Sequence, residues 1–149
     1  MKFDYILLRQ ISVLSAFFGA IAGIITIIPF IGTYSFIFLL CFIAPVVIWL
    51  LYKYNCISIN SIKDGIIIGA ISGFVAYLAF SVIYIPISII LLKLLKFAAN
   101  QGIGLMLNNA GFFILTVTSI FLGVVGATIN AFTGFITFYV IEFFNSIKK

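Results

Sequence analysis

"GAIAG" at residues 19–23 returns fifty positions later as "GAISG" at residues 69–73. Both pentads lie inside long apolar runs that carry no charge. A glycine four residues from another glycine shares its helical face. Inside lipid, such a face lets two backbones approach closely. The pair therefore raises a membrane bundle as the first expectation.

The whole chain fits that environment. Of its 149 residues, 65% are hydrophobic and only 7% are charged, with 8 basic, 3 acidic and no histidine. A soluble domain needs a polar shell, which this composition cannot supply. Disordered chains are polar and poor in aromatics, which this one is not. A net charge of +5 does not make a nucleic-acid binder, because the basic residues are scattered over links and termini and form no patch. The solvent and partner implied is the lipid bilayer.

Four spans follow from the apolar runs. The first covers about 11–28 and closes on "PFIGTY" at 29–34, a proline and glycine turn. The second covers about 35–52, with Pro45 as a candidate kink and Trp49, Tyr52 and Tyr54 near its end, where such rings favour the headgroup layer. The third starts at Gly65 and meets no charge before Lys93, longer than a bilayer core of about 30 Å requires. It is ended near Tyr84 and broken at Pro86, which leaves 87–97 as a short interfacial segment; one tilted helix over 65–92 is the alternative. The link 98–111 holds four amides and no charge. It reads as a flexible connection, with a re-entrant or ligand-contacting loop as the sharper reading. The fourth span covers about 112–141.

Charge sets the expected direction. The amino end, the 53–64 link and the carboxyl end carry six Lys or Arg, against Lys93 and Lys96 on the other side. Both termini are therefore expected in the cytoplasm. Lys2 and Arg9 before "AIA" at 20–22 resemble a cleavable signal, but Asp4 and the continuing apolar run favour a retained helix.

Placed on a helical wheel, Ser12, Ser15, Ala16, Gly19, Ala22, Gly23 and Thr26 form one narrow stripe on span one. Gly65, Gly69, Ser72, Gly73 and Ala76 form its counterpart on span three. The constant offset reads as a duplicated helical hairpin in parallel orientation, with coincidence among residues common in membrane helices as the competing reading. Span four carries the longest stripe, Thr116, Ser119, Gly123, Gly126, Ala127, Asn130, Gly134 and Thr137, about 32 Å of helix. Span two has no comparable stripe and is expected at the periphery. Asn130 is the lone amide deep in a span; it reads as interhelical glue, or more sharply as a polar contact to a ligand or ion.

Chemistry is thin. Without histidine the usual base and metal ligand are missing. Asp4, Asp64 and Glu142 all lie at span edges, whereas coupled transporters keep a carboxylate within the membrane. Cys41 and Cys56 make no disulfide framework and no metal cluster, and Cys56 has no base to activate it. Asp64 reads as a helix-start residue. The expectation is an all-α, four-helix integral membrane bundle, not an enzyme and without cofactor. Its helix-packing residues would be Ser15, Gly19, Gly23, Gly65, Gly69, Gly73, Ser119, Gly123, Gly126 and Gly134, and its role interaction with its own kind or another membrane protein. The rival is an oligomeric pore or uncoupled carrier for a small solute. A short, glycine-rich, four-span chain with "KDGIIIGAISG" opening span three resembles small prokaryotic membrane proteins, which implies the cell membrane.

Overall fold

The computed structural model describes residues 4–57, 59, 61–96, 109 and 111–147. Most of the 98–111 link lies outside them. Among the described residues the chain is helical, without strands: α1 (Tyr5–Ile25), α2 (Ile31–Cys41), α3 (Ile43–Lys53), α4 (Ile62–Leu95) and α5 (Phe112–Ile147). α1, α4 and α5 are each long and apolar enough to cross a membrane. α2 and α3, bent by 61° at their junction, together make a fourth candidate.

Local chemistry fixes the helix ends. The Asp4 carboxylate accepts the Tyr5 N–H at 2.7 Å to open α1. At its far end the Ala22 carbonyl takes the Thr26 N–H, the Thr26 hydroxyl and the Ser35 hydroxyl of α2. The chain then turns through Phe30 at φ 65°, a left-handed conformation unusual for a bulky side chain. Glycine at position 32 is required by space, since a Cβ there would collide with the Thr26 carbonyl. Asp64 does start a helix: with Ser61 it forms a reciprocal capping box at the head of α4.

Pro86 does not break span three. α4 runs unbroken for 34 residues, about 51 Å, so 87–95 is its continuation rather than a separate interfacial piece. The proline removes one backbone bond, to Val82, and both residues are exposed on the outer face of the helix. Proline inside membrane helices is tolerated in such settings. Replacing Pro86 with alanine restores that bond and is expected to raise stability by about 1–3 kcal/mol, read as a higher midpoint in a detergent unfolding titration.

α4 is the central element, touching α5 most extensively and α1 next. A Cβ on Gly19 would meet Ala76 and one on Gly23 would meet Phe80, so α1 and α4 run parallel in a register of fifty-seven. Gly65 faces Gly134, Gly69 faces Asn130 and Gly73 faces Gly126, so α4 and α5 run antiparallel. The expected peripheral place of span two is corrected here. Leu39, Ile43, Ala44, Val47 and Ile48 are all 0% exposed. Span two is wedged in by bulky side chains, which pack against α4 and α5 without needing a small-residue stripe.

Candidate functional site

The most specialised place in the molecule is the break between α2 and α3. Pro45 has no N–H to offer the Cys41 carbonyl, and its ring crowds that carbonyl. α2 ends at Cys41, and Phe42 closes one helix and opens the next with φ −115° and ψ −8°. A break of this kind inside a span strands backbone groups where no water can meet them.

Asn130 of α5 meets them instead. Its Oδ1 accepts the Ala44 N–H at 3.0 Å. Its Nδ2 donates to Leu40 at 3.0 Å and Leu39 at 3.3 Å, and also to the Gly126 carbonyl of its own helix at 3.0 Å. In a continuous helix the Ala44 N–H would bond the Leu40 carbonyl directly. The side-chain amide therefore stands in for a peptide group, inserted into one rung of the ladder. Asn130 is 0% exposed, and both its oxygen and its nitrogen are engaged with its own chain.

Around this clasp the sockets are formed by glycine. A Cβ on Gly126 would strike the Tyr77 ring, so that glycine houses an aromatic rather than a backbone. Tyr77 in turn stands edge-on to Phe36 of α2 at 6.0 Å, and Phe36 meets Phe80 at 6.2 Å. The Tyr77 hydroxyl is buried and, among the described residues, has no hydrogen-bond partner. The same holds for Ser15 on α1 and Ser72 on α4, which lie in the same register of fifty-seven as Gly19 and Ala76. At the far end of α3 the Tyr52 hydroxyl and the Asn145 amide of α5 bond each other at 3.0–3.1 Å, and the Lys53 ammonium sits 5.0 Å over the Trp49 ring.

The structure brings most of the sequence-derived packing residues together. Gly19 and Gly23 meet α4; Gly65, Gly69 and Gly73 meet α5; Gly134 meets Gly65 and Gly69. A Cβ on Gly123 would come within 3.2 Å of the Phe74 ring. Ser15 is buried, whereas Ser119 is half-buried and bonds its own helix at Leu115. The two pentads are not used alike. The α1 copy faces α4, while the α4 copy turns its glycines to α5 and leaves Ala76 to receive Gly19. Sequence reasoning missed Tyr77 and the partners of Asn130. A proline and an amide each isolated in a span were the available signals, but nothing local connects them.

No family model, curated protein or solved structure matches this chain.

Proposed function

We propose that the chain is a non-catalytic four-span bundle of a prokaryotic cell membrane, with both termini cytoplasmic, that works by binding another membrane protein or a second copy of itself. The observation that carries this reading is the saturation of Asn130: the one amide deep in a span is used up on its own backbone. The interior is given to holding the helices together, and recognition falls to the outside. The glycine faces are likewise filled from within the chain, so a partner would meet other surfaces. α5 is the long helix least covered by its neighbours, with Phe121, Phe132 and Tyr139 on its outer side. The six-to-two distribution of basic residues supports the orientation.

A photo-crosslinking residue at Phe132, activated in native membranes, tests the reading. Adducts heavier than the 16.4 kDa chain by a discrete protein mass are expected. Lipid adducts alone would end it. A second reading, an uncoupled carrier for a small neutral solute, is favoured by the bent span two, because carriers build their sites at broken helices. Solute flux in reconstituted vesicles separates the two.

A further inference from the structure

We propose that α2 is a hinged half-helix that swings about Phe42, lifting Phe36 off the Tyr77 and Phe80 rings and setting it back. The two halves of span two are held very differently. α3 buries Ile43, Ala44, Val47, Ile48 and Leu51, whereas α2 buries only Gly32 and Leu39 of its eleven residues. Pro45 removes a backbone bond that would otherwise tie the halves together. What crosses the break is the set of side-chain bonds from Asn130 to the Leu39 and Leu40 carbonyls on one side and the Ala44 N–H on the other. Side-chain bonds of this kind can be released without unwinding either helix, which is what a hinge needs.

The remaining contacts of α2 point the same way. Ser35 holds α1 by one hydrogen bond of 3.1 Å. Phe36 lies over Tyr77 and Phe80. Between α1 and α2 an apolar groove of about 310 Å³, lined by Phe18, Ile21, Tyr34 and Phe38 among others, leaves space for the half-helix to shift. In the closed arrangement the Tyr77 hydroxyl is buried without a hydrogen-bond partner among the described residues, an unfavourable state for a buried hydroxyl. The Asn130 bonds favour the closed form, so the open form is the minor one. This goes beyond the interaction reading, which a rigid α2 would leave standing.

Spin labels at Tyr34→Cys and Lys53→Cys, in a Cys41→Ser, Cys56→Ser background in lipid nanodiscs, report the angle between α2 and α3 by pulsed dipolar spectroscopy. A second pair, Val13→Cys and Ile66→Cys, reports the α1–α4 packing. Two distances are expected for the first pair in the otherwise native chain. The minor one should grow at least fivefold with Asn130→Ala and by a smaller factor with Phe36→Ala, the second pair staying unchanged. A single distance in the native background that neither variant alters overturns the hinge. Should Asn130→Ala disturb the second pair, the response to Phe36→Ala decides the matter.

Discussion

Replacing Asn130 with leucine is expected to destabilise the protein by on the order of 2–6 kcal/mol. The size of the effect follows from what is left behind: the Ala44 N–H and the Leu40 carbonyl lose their partner across the break, and each buried unsatisfied group costs about 1–3 kcal/mol. An ordinary interhelical bond between polar side chains in a membrane contributes about 0.6 kcal/mol. The two scales separate a clasp on broken backbone from simple glue. Unfolding titrations in mixed detergent micelles measure the difference, and a loss below about 1 kcal/mol would mean that α2 and α3 satisfy themselves when the amide is gone. Asn130→Gln, which keeps the amide but displaces it by one methylene, should recover only part of the loss.

The glycines divide into two classes with distinct expected costs. At Gly69 an added Cβ would run into the Asn130 carbonyl, and at Gly134 into the Gly65 carbonyl. Backbone cannot step aside, so Gly69→Leu or Gly134→Leu must drive α4 and α5 apart. We expect losses above about 3 kcal/mol, beyond the usual range for overpacking, and misfolded chains rather than folded monomers. At Gly123 an added Cβ would come within 3.2 Å of the Phe74 ring, which can tilt. Gly123→Ala should therefore stay within about 1 kcal/mol of the native protein. The same titration ranks all three, and equal costs at Gly69 and Gly123 would contradict the backbone contact. Leucine at Gly126 belongs with the severe class, because the Tyr77 ring occupies its socket and packs against Phe80 of the same helix.

These contrasts show what was legible in the sequence. Small residues at helical spacing marked the faces of spans one, three and four, because close approach of backbones leaves no alternative residue type. The start of the last helix at Phe112 was readable from the end of the polar link. The place of span two was not. Its close fit comes from Leu39, Ile43, Val47 and Ile48, whose shapes carry no periodic signature distinct from lipid-facing residues. Pro86 misled because the uncharged run from Gly65 is longer than a bilayer core, which favoured a break over the alternative of one long helix; a single missing bond on the outer face of such a helix is tolerated. Pro45 was visible as a candidate kink, yet the break at Phe42 depends on an amide eighty-six positions beyond Ala44, a separation that no local pattern spans.

That separation has a consequence for biogenesis. Translation runs from the amino end, so span two is made well before the helix that completes it. Until α5 is inserted, the newly made segment lacks the Asn130 amide, and the bent geometry would leave bare peptide groups facing hydrocarbon. The nascent hairpin must therefore keep a different shape, straighter or nearer the aqueous boundary, and change it when the final segment arrives. A chain truncated before residue 130 should accordingly lack the native bend and be degraded rapidly by membrane proteases.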